Sequence, residues 1–275
     1  MCKLNLRVLL SDRCNHRCAF CSRDFYRGEK RDLDEQVLFE AIRTFAALGG
    51  EKVTYSGGEP LMSPLLYPAM RLVHSLGMKN AITTNGSLLG RQSKDFWRLA
   101  DSINISMPAF VQEAFSRAVG AATSLETVKE NAVTAAHMGL RVKINSVYLP
   151  DSAFAFERMV EYFAPHGIVV KLMNDMWGSP EYYAGFLRYA ARWKDDPRVE
   201  IEKDLNPGYG MCANCKIQRN SSCPSCRSIW LYPDGSITLC PFDTARMHHC
   251  ATPVETQQAV EACWCAEASA LSMCA

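Results

Sequence analysis

The stretch "LNLRVLLSDRCNHRCAFC", Leu4 to Cys21, decides how this chain is read. Leu4 to Leu10 is a short apolar run of strand type, and three thiols follow it within eight residues, as Cys14-x3-Cys18-x2-Cys21. Three thiolates are one too few for the closed tetrahedral site of structural zinc. No further cysteine occurs between residues 22 and 211, so no partner knuckle stands nearby. Three thiolates suit a [4Fe-4S] cluster whose fourth iron is open to an outside ligand. The alternative is a zinc site completed by His16 or by a remote residue.

Outward from this stretch, strand-like runs recur at 4–10, 51–56, 79–84, 102–106, 141–149 and 168–173. Helical periodicity fills the gaps at about 34–48, 64–76, 91–100, 124–138, 153–164 and 180–193. Asp34 and Ser63 or Pro64 are expected helix starts, and the "LGG" at 48–50 an expected stop. Six strand–helix units imply parallel strands with right-handed crossovers. Six falls short of the eight of a closed barrel, so the expected α/β fold is a partial (β/α)6 TIM-like barrel over residues 1–195. Residues 196–275 open on the polar, turn-rich "DDPRVEIEKDLNPGYG". They are expected to form a second unit with little apolar periodicity, folded around metal.

Composition narrows the function. Thirty basic side chains face 29 acidic ones among 275 residues, which opposes binding to nucleic acid or to an anionic membrane. No run of about 18 uncharged apolar residues predicts a spanning helix, and Lys3 and Arg7 interrupt the N-terminal apolar stretch, unlike a signal peptide. The expected location is the cytoplasm. Of 13 cysteines, nine lie between Cys212 and Cys274. Such clustering reads as metal binding in a reducing compartment, not as a disulfide scaffold.

A Cys-x3-Cys-x2-Cys loop after the first strand and "GGEP" after the second resemble the radical S-adenosylmethionine enzymes over about residues 1–195. The resemblance implies that Cys14, Cys18 and Cys21 hold the [4Fe-4S] cluster, with S-adenosylmethionine as the fourth ligand. In that family one electron from the cluster breaks a carbon–sulfur bond, leaving methionine and a 5′-deoxyadenosyl radical. An electron donor such as flavodoxin or ferredoxin is implied as partner. Gly57 and Gly58 would let backbone approach the methionine end. Glu59 would hold that loop in shape, and Phe20 would lie by the adenine unless it is a plain core residue.

The tail carries Cys223-x2-Cys226-x13-Cys240, with "DG" at 234–235 suited to a hairpin turn. This is similar to the auxiliary iron–sulfur cluster of the GTP 3′,8-cyclase branch and to twitch and SPASM tails. "LSDRCNHRC", "SGGEPLM", "TTNGSLL", "NISMP" and "VKINSV" also resemble the cyclases. That likeness implies cosubstrate contacts at Thr84, Asn85, Ser106 and Met173, and substrate contacts at Arg7 and Lys143. It also has departures: Thr54, Ser228 and Trp230 stand where the cyclases carry arginines. Losing three such cations opposes a triphosphate, so GTP is not the expected substrate. The remaining ligand candidates are Cys212, Cys215, Cys250, Cys263 and Cys265, which allow one auxiliary cluster or two. Cys212-x2-Cys215 ahead of Cys223-x2-Cys226 also passes for a zinc knuckle pair.

Other residues have modest readings. The basic loop at 23–31 is expected to be solvated, and His248 and His249 are ligands or surface side chains. Asp175 and Glu181 are proton acceptors or helix caps beside Trp177. The expected activity is hydrogen abstraction from a small organic substrate, a sugar, nucleoside or related metabolite, in a biosynthetic tailoring step. Peptide modification is the alternative, opposed by the closeness of Cys14 to the start of the chain. A zinc-binding module without activity is the third reading, opposed by the Gly-Gly-Glu loop.

Overall fold

Residues 4–18, 20–21, 31–149, 153–174, 179–201, 228–239 and 247–272 are described by this computed structural model. Six parallel strands carry the fold: β1 (Asn5–Leu9), β2 (Lys52–Ser56), β3 (Lys79–Thr84), β4 (Ser102–Ser106), β5 (Arg141–Val147) and β6 (Val169–Met173). All six fall where the sequence places them. A short β7 (Val199–Ile201) extends the parallel run beyond β6. The crossovers are helices α1 (Glu35–Ala47), α2 (Leu66–Ser75), α3 (Lys94–Leu99), α4 (Gln112–Val119), α5 (Leu125–His137), α6 (Ala153–Phe163) and α7 (Pro180–Ala191).

Side-chain alternation sets the two faces of the sheet. Leu6, Val8, Val53, Tyr55, Ile82, Ile103, Ile105, Ile144, Val170 and Leu172 are completely buried, against the helices. The other face carries Arg7, Thr54, Ala81, Ser102 and Arg141 in one register line, and Thr83, Asn104, Lys143 and Val169 in the next. A sheet apolar on its helix side and polar on the other is a barrel wall with a hydrophilic lumen. Among the described residues the wall stays open, because the sheet runs in the order β10-β9-β8-β1-β2-β3-β4-β5-β6-β7 without joining its ends.

Local chemistry explains the helix limits. The Asp34 carboxylate accepts from the Gln36 and Val37 amides to start α1, and Gly49 at φ 90° ends it after Leu48. The start of α2 differs from expectation: its N-cap is Leu65, while the Ser63 hydroxyl accepts from the Leu65 amide at 3.3 Å. The sequence reading omitted α4 altogether. Phe115 and Val119 form its buried face, and Gly120, left-handed at φ +58°, closes it.

The described part of the tail has little apolar periodicity, as expected, and adds strands to the barrel wall. β8 (Ser228–Leu231) pairs in parallel with β1, and β9 (Ser236–Thr238) returns antiparallel to it through Asp234-Gly235. Gly235 is required there: it lies at φ +80°, and a Cβ would come within 2.2 Å of the Cys250 carbonyl. Beyond β10 (His248–His249), helix α8 (Pro253–Ser272) packs against α1. Its inward stripe is Thr256, Ala259, Val260 and Cys263, a helical spacing built from small or weakly hydrophobic side chains. That composition hid the helix from sequence reading. Trp264 meets Phe45 of α1 edge-on, with ring centroids 5.6 Å apart. Among the described residues no helix is long and apolar enough to cross a membrane.

Candidate functional site

The site forms at the C-terminal ends of the parallel strands, where the loops after β1, β2 and β3 meet. Each residue between Cys14 and Cys18 has its own anchor. Asn15 Oδ1 accepts from Asn85 Nδ2 at 2.8 Å, and Asn15 Nδ2 donates to Ser87 Oγ at 2.9 Å. His16 is 1% exposed, and its Nε2 shares a 2.8 Å hydrogen bond with Thr123 Oγ1. The Arg17 amide donates to the Val119 carbonyl at 2.8 Å. Cys14, Cys18 and Cys21 are all half-buried. The Cys14 sulfur faces the His16 amide at 3.3 Å and Asn85 Nδ2 at 4.0 Å. Phe20, beside Cys21, is half-buried.

The loop after β2 lies directly on this cysteine loop. Gly58 N donates to Ser11 O at 2.6 Å, and Glu59 N to Arg13 O at 2.8 Å. A Cβ on Gly57 would stand 2.6 Å from the Ser11 carbonyl, and one on Gly58 would stand 2.0 Å from that of Arg13. Both glycines are thus demanded by backbone approach. The Glu59 carboxylate, 1% exposed, turns away from the thiols and binds the next strand end. It accepts from Thr84 Oγ1 at 2.6 Å, the Asn85 amide at 2.8 Å and the Leu61 amide at 3.1 Å. Burial pushes its acidity down and its pKa up, while those three donors pull the other way.

The Cys14 thiol with the His16 amide beside its sulfur, on a loop clamped by the Gly57-Gly58 backbone, fits a thiolate-held cluster. Ser106 and Met173 are half-buried at the C-terminal ends of β4 and β6. Among the described residues, no three His, Cys, Asp or Glu side chains are gathered as a metal-ion site. His16, an alternative ligand from sequence, points to Thr123 instead. Burial lowers its pKa and favours the neutral ring.

The lumen below is cationic. Arg7 on β1 donates from Nε to Ser228 Oγ at 3.3 Å, and its guanidinium lies 5.0 Å from the centre of the Trp230 ring. Lys143 forms an ion pair with Glu200 of β7. Lys52, at the N-terminal end of β2, has its pKa lowered by burial and then by Arg7, Arg141 and Lys143. Thr54, which replaces an expected cation, donates to Asn5 Oδ1 at 2.9 Å.

The tail thiols divide. Cys212, Cys215, Cys223, Cys226 and Cys240 lie outside the described residues, as do Asp175 and Trp177. Cys250 and Cys263 are buried and Cys265 is exposed. Two residues apart on α8, Cys263 and Cys265 point to opposite sides. Burial pushes the Cys263 thiol up to about 12 and that of Cys250 up to about 11. His249 Nδ1 shares a 2.7 Å hydrogen bond with Ser236 Oγ, and both His248 and His249 are exposed. Glu181 sits in the first turn of α7, where its bond with Ser179 lowers its pKa.

Sequence reasoning missed Asn15, Ser87, Gly120 and Thr123 as parts of this site, and gave His16 only as a possible zinc ligand. The one available signal was Gly120 closing an amphipathic Phe115/Val119 segment, which would have placed a helix end opposite the cysteine loop.

Residues 8–163 match the Radical SAM superfamily model. A GTP 3′,8-cyclase of Stenotrophomonas maltophilia (strain R551-3) is 34% identical over 265 residues, covering 86% of this chain and 79% of the relative. A GTP 3′,8-cyclase of Aquifex aeolicus is 26% identical over 288 residues, covering 94% and 88%. The match to a cyclase of another S. maltophilia strain spans 46% of that relative. Among solved structures, Streptococcus suis SuiB bound to S-adenosylmethionine has a TM-score of 0.68 at 17% identity, covering 87% of this chain and 60% of SuiB. That likeness concerns the fold. The family model spans more than half of the chain and includes the cysteine loop and the Gly-Gly-Glu loop, so the chain belongs to the radical SAM superfamily, whose members carry a [4Fe-4S] cluster and use S-adenosylmethionine.

Proposed function

We propose that this protein is a cytoplasmic radical enzyme that abstracts hydrogen from a small anionic metabolite, of sugar or nucleoside type, in a biosynthetic tailoring step. The observation that carries this reading is the lumen: Arg7, Lys52, Arg141 and Lys143 share its polar face, below the loops of the cysteines and of Gly57-Gly58. Arg7 and Lys143 are half-buried and Lys52 and Arg141 exposed; like charges gathered on one wall repel one another, and an anionic substrate relieves that repulsion. When bound, the cluster and S-adenosylmethionine supply the 5′-deoxyadenosyl radical. The protein's own residues hold and orient. Cys14, Cys18 and Cys21 carry the cluster, with Phe20, Gly57, Gly58, Thr84, Asn85, Ser106 and Met173 around the cosubstrate. Glu59 braces two strand ends, while Arg7 and Lys143 face the substrate.

Trp230 and Ser228 occupy the wall beside Arg7 where arginines would serve a triphosphate, and GTP is therefore not the substrate of this reading. Residues 1–195 form the radical unit. Residues 196–275 form a tail with at least one auxiliary [4Fe-4S] cluster on Cys223, Cys226 and Cys240. Its fourth ligand comes from Cys212, Cys215, Cys250, Cys263 or Cys265, and the burial of Cys250 and Cys263 in the core favours the first two. Electrons come from a flavodoxin or ferredoxin.

The test uses anaerobically reconstituted protein with S-adenosylmethionine and a strong reductant. Wild type is expected to release 5′-deoxyadenosine and to hold roughly eight irons per chain. Replacing Cys14, Cys18 and Cys21 by alanine abolishes the release, and Cys226→Ala lowers iron by about four. Cyclised product from GTP, or modification of an added peptide in place of small anions, refutes the substrate assignment. Iron near four per chain with one zinc refutes the auxiliary cluster.

A further inference from the structure

The family resemblance accounts for the thiols but not for the three residues between Cys14 and Cys18. Two of them are held from one place, the turn that joins α4 to α5. Arg17 donates its amide to Val119, the last residue of α4, at 2.8 Å. Gly120 follows at φ +58°, and a Cβ there would come within 2.5 Å of the Arg17 carbonyl. His16 reaches the same turn through its 2.8 Å bond to Thr123 Oγ1, and its ring is buried in doing so. The same residue's amide faces the Cys14 sulfur at 3.3 Å. A rigid connection thus runs from Thr123 through His16 to the first cluster thiol.

We propose that the 119–123 turn is a positioning element for the radical cluster, with His16 and Thr123 its coupled residues and Gly120 its point of contact. The inference rests on the cluster assignment above. Fixing the chain between Cys14 and Cys18 would hold two of the cluster thiolates at one separation beside the Gly57-Gly58 loop. His16 acts through Cys14 and is not itself a ligand.

The experiment compares full-length reconstituted wild type with Thr123→Val, Thr123→Ser, His16→Phe and the His16→Phe/Thr123→Val double variant. Two quantities are read besides activity. One is the rate at which a ferrous chelator removes iron responsible for the electron paramagnetic signal that changes on adding S-adenosylmethionine. The other is the line shape of that signal. Thr123→Val and His16→Phe should each speed the loss about tenfold and broaden the signal, the size of effect typical of residues that orient metal ligands. Thr123→Ser should restore wild-type behaviour, and the double variant should be no worse than either single one. Gly120→Ala, which strains the same contact from the backbone, should show the same selective loss while iron in the tail stays. Wild-type release rates in Thr123→Val, additive effects in the double variant, or equal loss in Thr123→Ser overturn the proposal. Melting of the iron-free proteins separates this from general instability: a parallel fall in melting temperature with unchanged line shape also overturns it. Absence of any S-adenosylmethionine-responsive signal in wild type overturns the cluster assignment itself.

Discussion

Replacing Glu59 by alanine tests whether this carboxylate organises the site. Its Oε1 accepts from Thr84 Oγ1 and the Leu61 amide, and its Oε2 accepts from the Asn85 amide. Thr84 and Asn85 are buried, so Glu59→Ala strands two donors that water does not reach. Each costs about 1–3 kcal/mol, giving a loss of about 2–6 kcal/mol. Glu59→Gln is milder. Its oxygen keeps the two Oε1 bonds while its NH2 faces the Asn85 amide, donor against donor, at about 1–3 kcal/mol. Urea unfolding of the iron-free protein followed by circular dichroism measures both, with the m-value as a check that the two-state comparison holds. Because Asn85 also reaches Asn15 and Cys14, both variants should weaken S-adenosylmethionine binding, with alanine the worse. An alanine variant within about 0.5 kcal/mol of wild type, the range of a surface substitution, refutes this reasoning.

Four further outcomes follow from the same geometry. Gly58→Ala, whose Cβ would lie 2.0 Å from the Arg13 carbonyl, must displace the cysteine loop. It should cut iron recovered at the radical cluster while the tail's iron is kept, as counted by iron analysis and magnetic resonance. In iron-free folded protein at pH 8, iodoacetamide should label Cys265 but spare Cys250 and Cys263, read by peptide mass spectrometry. Because the Cys263 thiol is raised from 9.0 to about 12, its stabilising share is complete below pH 9. That share is lost as pH rises toward 12, and Cys263→Ala should flatten the alkaline decline in stability. Trp264→Ala removes the edge contact with Phe45 and should loosen α8, lowering the urea midpoint and speeding amide exchange along that helix.

The parallel strands and most of their helices were legible in the sequence because each buries one regular face. Period alone marks such elements, as Val37, Leu38, Ala41, Ile42 and Phe45 do for α1. Cysteine spacing and the Gly-Gly-Glu loop likewise carried the cluster chemistry, since ligand count and close backbone approach are written in residue types. Helix α8 was not legible, because Thr256, Ala259 and Cys263 fill its seam and no hydropathy pattern distinguishes them from tail. The remaining decisions were tertiary. Only the strand pairing sets Arg7 of β1 and Arg141 and Lys143 of β5 on one face of the sheet, gathering cations in a chain of almost neutral charge. Only the fold turns His16 from a candidate ligand into a tie to Thr123, 107 positions away along the chain. Residue types state what a loop is able to bind; the partner that holds the loop still is a matter of distance in space, which spacing along a sequence does not encode.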